Sequence, residues 1–310
     1  MARPLRIEYP GALYHVTSRG NEKKDIFRGI KDREKFLSYL SSAWERYGAV
    51  FHAYCLMSNH FHLMVETPLG NLSRIMKHLN GSYTTYFNLK HKRVGHLLQS
   101  RYKAILVQAD TYAAELSRYI HLNPVRAKIV SSPEKYRWSS CNLYLEGKTP
   151  PWLSTSLVLG YFGREDEDRR RNYRNYLFEA IDKESRNPLA NSVASTILGT
   201  DDFVRDIKEK YLEEKESDRD LPALRDLSRG PEVTEIKALS EDAFPENERL
   251  ARMAGIYLCW RFSGAKLKEI GGLYGISESG VNRACRRFEN MMERDDDLRE
   301  SLRGLTEKIK

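Results

Sequence analysis

Residues 54–66 read YCLMSNHFHLMVE, and this stretch places His60 and His62 two positions apart on a predicted strand. Because successive side chains of a strand point to opposite faces, both imidazoles lie on one face, while Phe61 points to the other. Two imidazoles side by side provide two of the three ligands of a facial metal site. An isolated motif of this kind also occurs with both histidines facing solvent, so the surrounding sequence has to decide between the two interpretations.

The segments on either side of this strand predict a small mixed fold. The Ser58-Asn59 pair is typical of a tight turn, so the strand from His60 to Glu66 forms an antiparallel hairpin with the one before it. The predicted order is β-α-β-β-α-β followed by one more helix, with strands at 12–19, 50–57, 60–66 and 104–107 and helices from 32, from 72 and over 111–123. This order indicates an α+β, ferredoxin-like split βαββαβ domain, in which two helices cover one face of an antiparallel sheet. The other face must be covered by another element or bind a partner.

Composition and charge narrow the class of protein. Of the 310 residues, 41% are hydrophobic, and the net charge is +8. The first 150 residues hold 23 Lys and Arg against 11 Asp and Glu, whereas the remainder holds 28 against 32, so we expect the first part to meet a polyanion. The four cysteines are far apart and the longest apolar run is short, which favours a cytoplasmic protein without disulfides or a membrane span. A basic surface without a polyanion partner would give the same charges.

The predicted helix over 111–123 carries a second candidate group. Tyr119 and Asn123 are four residues apart and therefore neighbours on one helix face, at the edge of the apolar stripe that must pack on the sheet. They can therefore approach the rim where His60 and His62 project. The alternative is that Tyr119 is one more core aromatic and Asn123 ends the helix before Pro124.

These motifs together resemble a known family. The sequence NHFHL at 59–63 and RYIHLNPVRA at 118–127 are similar to those of the REP-associated tyrosine transposases, which are single-tyrosine HUH (His-hydrophobic-His) endonucleases. PGALYHVTSRGNEKKDIF at 10–27 and YRWSS at 136–140 resemble the same family, and the resemblance covers about residues 1–145 closely.

The resemblance implies a role for each matched residue. Tyr119 would be the nucleophile that attacks single-stranded DNA at hairpin-containing repeats, leaving a 5′-phosphotyrosine and a free 3′-OH. His60 and His62 would hold a divalent cation, Mg²⁺ or Mn²⁺, with Asn123 as the third ligand. Tyr112, on the same helix face, is the rival nucleophile. The nitrogen ligands predict that Mn²⁺ serves at least as well as Mg²⁺.

Basic residues near the predicted strands are candidates for DNA binding. Arg19, Lys23 and Lys24 follow the first strand, and Arg101 and Lys103 precede the fourth. Such residues neutralise phosphates of a bound strand. The alternative is a solvated basic surface.

The C-terminal part predicts a second DNA-binding unit. Residues 265–290 read AKLKEIGGLYGISESGVNRACRRFEN and match a helix-turn-helix, with Gly275 at the turn and Ser277 capping the second helix. That helix exposes residues of the types that contact bases and phosphates: Ser279, Asn282, Arg283, Arg286 and Arg287. From Ala251 the segment also resembles the DNA-binding domain of the bacterial replication initiator, but SESG stands at its base-reading stretch, so sequence specificity does not carry over. A helical hairpin that contacts protein is the alternative.

The predicted organisation is therefore a nuclease/transposase domain (1–150), a helical connector and linker (151–247, with the linker at 219–246) and a helix-turn-helix domain (248–310). The predicted function is a metal-dependent, site-specific single-stranded DNA endonuclease and strand transferase, with duplex DNA as a further partner of the C-terminal domain. The alternatives are a DNA-binding regulator that has lost turnover and a relaxase or rolling-circle initiator. The sequence leaves the oligomeric state open.

Overall fold

The computed structural model describes residues 6–181, 187–193, 195–211, 231–263, 265–292 and 295–309. The chain divides into two compact units, one formed by residues 6–207 and the other containing the residues from 208 onward. The strands are β1 (Ala12–Arg19), β2 (Val50–Leu56), β3 (His60–Thr67), β4 (Lys103–Val107) and β5 (Ile197–Leu198). The helices that accompany them are α1 (Ile30–Tyr47), α2 (Leu72–Lys90), α3 (Ala109–Arg126), α4 (Cys141–Glu146), α5 (Ser156–Leu159), α6 (Asp166–Phe178) and α7 (Asp201–Tyr211).

The strands form one sheet in the order β2-β3-β1-β4-β5. β1 runs antiparallel to both β3 and β4, and β2 runs antiparallel to β3. This confirms the predicted α+β class and the split βαββαβ arrangement. The fifth strand was not predicted: it adds to the edge of the sheet in parallel with β4.

Helices cover both faces of the sheet. On one face, Phe61 of β3 packs against Phe36 of α1 at 4.7 Å between ring centroids, and Tyr83 of α2 joins them. On the other face, Met64 belongs to a buried cluster that includes Leu116 of α3. The face that carries His60 and His62 is thus the one that α3 covers.

Helix α3 is longer than the sequence predicts at both of its ends. It begins at Ala109, two residues before the predicted start, and it runs through Pro124 to Arg126. A proline fits a helix by its φ angle but lacks an N–H donor, which is why the sequence suggests a stop at Asn123. The last turn is closed instead by the N–H of Ala127, which donates to the Asn123 carbonyl at 2.9 Å.

Polar residues from beyond the end of α3 pack onto that helix. Tyr173 of α6, in the predicted connector, is fully buried, and its hydroxyl lies 2.7 Å from Nδ1 of His121 and 3.0 Å from Oγ of Ser117. The other ring nitrogen of His121 lies 2.7 Å from Oγ of Ser140. Because these buried polar groups satisfy one another, Ser140 and Tyr173 help to fix the position of α3 on the sheet, and they belong to the same compact unit.

The C-terminal unit is helical, with elements α8 (Val233–Ala243), α9 (Glu248–Phe262), α10 (Leu267–Tyr274), α11 (Glu278–Met292) and α12 (Asp296–Ile309). The predicted linker at 219–246 is wrong in its second half, because residues 233–243 form α8. Ile236 of this helix is fully buried against Ala254 and other core residues of the unit. Residues 212–230 of the predicted connector and linker lie outside the described part of the chain.

Helices α10 and α11 have the geometry predicted for a helix, a turn and a second helix. Gly275 ends α10 with φ of +65°, a left-handed conformation that favours glycine. Ser277 caps α11 by accepting a hydrogen bond from the Gly280 N–H at 3.2 Å. A Cβ on Gly271 would lie 2.5 Å from the carbonyl oxygen of Ile276, so only glycine permits this close approach.

None of the helices in the described ranges is both long enough and apolar enough to cross a membrane.

Asp32 joins α1 to the end of α2. It lies inside the first turn of α1, which begins at Ile30, two residues before the predicted start. Its fully buried carboxylate accepts hydrogen bonds from the Arg28 N–H at 2.9 Å, from Nζ of Lys90 at 2.5 Å and from the ring of His91 at 3.0 Å. Burial by itself raises the pKa of Asp32, but these bonds outweigh it and hold the pKa below its usual range.

We expect Asp32→Asn to lower the free energy of unfolding by about 2 kcal/mol at pH 7, because a neutral amide cannot replace the charge-assisted bonds. The folded-state pKa lies below the unfolded value of about 3.9, so the stabilisation is complete above that value and is lost as the pH falls. The difference between the two proteins should therefore shrink below about pH 4 in urea titrations. Asp25→Asn, the same change at an exposed position, is the control; an equal loss in both variants would contradict this role.

Candidate active site

His60 and His62 point from β3 to the face that α3 covers, as their spacing predicts. The register pairs His60 with Arg19 and His62 with Thr17 of β1. His60 is partly exposed at the start of the strand, whereas His62 is only 6% exposed. The centroids of the two rings are 5.0 Å apart. The two imidazoles therefore form one group at the start of β3.

Each ring has one nitrogen engaged. Nδ1 of His60 lies 2.7 Å from Oδ1 of Asn59, and Nδ1 of His62 lies 2.9 Å from Nε2 of His15. Nε2 of His62 is buried and has no hydrogen-bond partner among the described residues. A buried polar atom without a partner is costly, so this nitrogen is the position at which a bound group is expected.

Burial keeps these rings neutral. It lowers the pKa of His60 to about 4, with a smaller contribution from the charge of Arg19, and it lowers the pKa of His15 to about 3. The pKa of His62 is lowered well below its usual value by burial and, to a lesser degree, by the two neighbouring imidazoles. Neutral imidazole is the form that binds metal ions.

Tyr119 of α3 lies against this group. Its ring centroid is 5.8 Å from that of His62 and 6.0 Å from that of His15, and both contacts are edge-on. Burial raises the pKa of the Tyr119 phenol, and the charge of Arg126 opposes that rise. The Arg126 guanidinium lies 5.1 Å from the centre of the Tyr119 ring. A positive charge is therefore present near the phenol, but burial has the larger effect on the pKa of Tyr119.

Asn123 is beside Tyr119, and the nitrogen of its side-chain amide is engaged within α3. Nδ2 of Asn123 donates to the Tyr119 carbonyl at 2.8 Å. Within the described ranges, His, Cys, Asp and Glu side chains alone do not form a metal-binding group of three or more. A cation held here would therefore take further ligands from an amide, a phenol, water or the substrate. Tyr112, the rival nucleophile, packs against the core cluster of this face.

A basic pocket of about 500 Å³ opens beside the histidines. Its lining contains both of them and four of the five predicted DNA-binding residues of this unit: Arg19, Lys23, Arg101 and Lys103. Lys24 is placed differently, since its ammonium pairs with Glu22 at 2.6 Å. Lys23 has φ of +60°, a conformation that non-glycine residues rarely adopt and that often marks a functional turn.

The predicted residues of the second unit all lie on α11. Those expected to meet DNA are each exposed: Ser279, Asn282, Arg283, Arg286 and Arg287. The inner positions Val281, Cys285 and Phe288 are buried in the core of the unit. The helix thus presents a polar, basic face to solvent.

Sequence reasoning missed His15, Gln99 and Ser100. His15 shares a face of β1 with Thr17 and Arg19. The alternation of side chains along the predicted strand could therefore have placed His15 on the same face as the candidate DNA-binding residue Arg19. Gln99 and Ser100 line the pocket from the loop before β4, where no pattern marks them.

Part of the chain matches a known protein family. Residues 9–123 match the model of the IS200-like transposases. This transposase-like segment contains the histidine pair, Tyr119 and Asn123, so the resemblance seen in the sequence is confirmed over these residues. The chain is also similar to a solved structure described as a REP-associated tyrosine transposase bound to a REP hairpin, with 14% identity and a TM-score of 0.43. That alignment covers 50% of this chain and 92% of the other. No curated protein matches the chain.

The lowered pKa values of the transposase-like segment give a direct prediction. In protein labelled with ¹⁵N-histidine and kept metal-free, the ring signals of His15, His60 and His62 should not titrate between pH 5.5 and 8, because all three are already neutral. An unperturbed histidine changes state near pH 6.5. Single His→Gln variants assign the signals. A midpoint for His60 or His62 between pH 6 and 7 would contradict the burial that defines this site.

Proposed function

We propose that the chain is a metal-dependent, single-tyrosine endonuclease and strand transferase that acts on single-stranded DNA. The observation that carries the proposal is the contact between the Tyr119 ring and His62, whose buried Nε2 has no partner among the described residues. Metal-assisted phosphoryl transfer requires a nucleophile close to a metal ligand, and Tyr119 and Nε2 of His62 can supply these two groups. The match of residues 9–123 to a transposase family supports the same chemistry.

The residues present fit a divalent cation. Nε2 of His62 and the neutral ring of His60 can supply two nitrogen ligands, and the Asn123 side chain, neighbouring on α3, is proposed as the third. Such a cation, Mn²⁺ or Mg²⁺, neutralises charge on the non-bridging oxygens of the scissile phosphate. Second-sphere support comes from Asn59, whose side-chain oxygen orients the His60 ring.

The reaction proposed for Tyr119 is a transesterification. Its phenol oxygen attacks the phosphorus, the bond from phosphorus to the 3′ oxygen breaks, and a 5′-phosphotyrosine forms. The phenol proton is lost, and the departing 3′ oxygen gains one to give a free 3′-OH. Because the raised pKa of Tyr119 disfavours the phenolate, Arg126 is placed to offset part of this cost. The covalent link conserves the bond energy, so a 3′-OH of the same or another strand can reverse the step.

The basic pocket supports a nucleic acid substrate. Arg19, Lys23, Arg101 and Lys103 surround the histidines, and such a groove suits the phosphates of an unpaired strand. Hairpin-containing repeats are proposed as the target from the family resemblance in the sequence.

The C-terminal unit is proposed to bind duplex DNA through α11. Its support is the exposed polar face of that helix together with the tight glycine-containing turn before it. A unit for paired DNA joined to a nuclease for unpaired DNA suits a hairpin, which offers both. We accordingly propose residues 1–150 as the core of the nuclease and 248–310 as the duplex-binding domain.

Tyr119→Phe tests the nucleophile. The change removes one oxygen and keeps the ring that packs on His15 and His62, so folding and hairpin binding should be unchanged. With a labelled single-stranded hairpin substrate and Mn²⁺, the variant should form no covalent adduct and release no 3′-OH product. Tyr112→Phe, two turns earlier on α3, is the matched control and should cleave normally. Normal cleavage by Tyr119→Phe would exclude this residue as the nucleophile.

Arg286→Ala with Arg287→Ala tests the interaction with duplex DNA. Removing one arginine–phosphate interaction should lower the slope of log affinity against log salt by about one, so the double variant should bind a duplex hairpin stem more weakly and with a shallower slope. Lys237→Ala, which removes a charge of the same unit that pairs with Glu241 on α8, is the control. An unchanged slope in the double variant would indicate that α11 binds something other than DNA.

A further inference from the structure

We propose that His15 is a positioning residue of the metal site: its Nε2 accepts the hydrogen bond of the His62 Nδ1–H and so keeps Nε2 of His62 unprotonated and available to a divalent cation. This inference rests on the proposed function, because the cation at His60 and His62 is part of that proposal. Neither the sequence motif nor the family match assigns any role to His15.

The rings of His15 and His62 are in close contact and are both buried from solvent. Nε2 of His15 and Nδ1 of His62 are 2.9 Å apart, and the ring planes are nearly parallel, with 5.2 Å between centroids and 18° between planes. His15 is 3% exposed and His62 is 6% exposed. Water therefore does not compete for this hydrogen bond, and a bond in such surroundings fixes the orientation of both rings.

The shared proton can lie on either ring, and the two arrangements differ at Nε2 of His62. A neutral imidazole carries one N–H, so if His15 donates, the proton of His62 must be on Nε2. That atom is buried and has no acceptor among the described residues, and in this form it has no free lone pair for a cation. If His62 donates from Nδ1, its Nε2 carries the lone pair. Only the second arrangement is compatible with metal binding.

The proposed arrangement also fixes the proton of the neighbouring ring. Because Nε2 of His15 is the acceptor, the single proton of this neutral ring must be on Nδ1. A histidine ligand commonly donates its second nitrogen to an acceptor that sets its tautomer, and loss of that acceptor typically costs 10–100-fold in metal affinity. His15 takes the place usually held by a carboxylate or a carbonyl.

His15 touches the proposed nucleophile as well. The rings of His15 and Tyr119 are in edge-on contact, with 6.0 Å between centroids. A substitution at His15 can therefore disturb Tyr119 by packing alone, and cleavage rates do not separate that effect from a change at the cation. The tautomer of His62 and the affinity for the metal distinguish a packing effect on Tyr119 from a change at the cation.

The first test uses the unaltered protein. Long-range ¹H–¹⁵N spectra of ¹⁵N-histidine-labelled protein, recorded without metal and with Mg²⁺, report which ring nitrogen carries the proton. We expect His62 to be protonated on Nδ1 and His15 on Nδ1 in both states. A proton on Nε2 of His62 in the Mg²⁺-bound state would overturn the proposal.

The second test measures Mn²⁺ affinity by electron paramagnetic resonance of the free ion. His15→Phe keeps a ring but removes the acceptor, and it should weaken binding 10–100-fold. His15→Gln offers an amide oxygen to the His62 Nδ1–H and should retain affinity within a few-fold of wild type. His52→Phe is the control, because this buried histidine bonds to Glu66 and to the Ser154 carbonyl instead. Melting curves in EDTA check that each variant folds, and if His15→Phe does not, the spectra of the unaltered protein decide.

His62→Ala distinguishes failure of this inference from failure of the proposed function. If His62→Ala loses Mn²⁺ affinity while His15→Phe does not, the role of His15 is overturned and the metal site stands. If His62→Ala binds Mn²⁺ as wild type does, the metal site itself is wrong and the role of His15 falls with it.

Discussion

The antiparallel pairing of β1 with β3 is the constraint on which the site depends. Its register sets Thr17 opposite His62 and leaves His15 diagonally next to it, so that the two imidazoles meet across the strands. Because side chains alternate between faces, a slip of one residue would send His60 and His62 into the aromatic core under α1 and α2. The Phe61 ring, packed against Phe36 and buried completely, opposes such a slip. Packing of Phe61 on one face of β3 thereby fixes the orientation of His60 and His62 on the other face.

The other half of the site depends on where α3 lies. Tyr119 reaches His62 only because α3 is held on the sheet, and a buried hydrogen-bond network behind the helix contributes to this hold. The ring of His121 joins Tyr173 and Ser140 at 2.7 Å each. Removing any member would leave buried polar groups without partners, at a cost of roughly 1–3 kcal/mol. Residues far from the histidine pair in sequence therefore help to determine the geometry of the site.

The sequence predicts much of this arrangement because most of it is local. The spacing of His60 and His62, the turn before them and the helical spacing of Tyr119 and Asn123 each depend on neighbouring residues, and the elements that carry them form as predicted. His15 escaped prediction because its partner is 47 residues away and only the strand register joins them. The β5 strand and α8 were missed for a related reason. Ile197 and Leu198 of β5 and Ile236 of α8 are apolar residues whose burial depends on other elements, in segments with weak patterns of their own.

The half-buried phenol of Tyr119, the proposed nucleophile, lies beside neutral imidazoles, and this burial has an energetic consequence. Burial disfavours the charged phenolate and also disfavours protonated histidine, so both groups are uncharged at neutral pH in the absence of a cation. The chemistry proposed for this site requires that Tyr119 become covalently attached to DNA. Peptide mapping by mass spectrometry of the adduct trapped with a single-stranded hairpin and Mn²⁺ tests this attachment most directly. We expect a nucleotide on Tyr119 in the peptide that contains it, whereas a nucleotide on any other residue, Tyr112 included, would contradict the proposed mechanism.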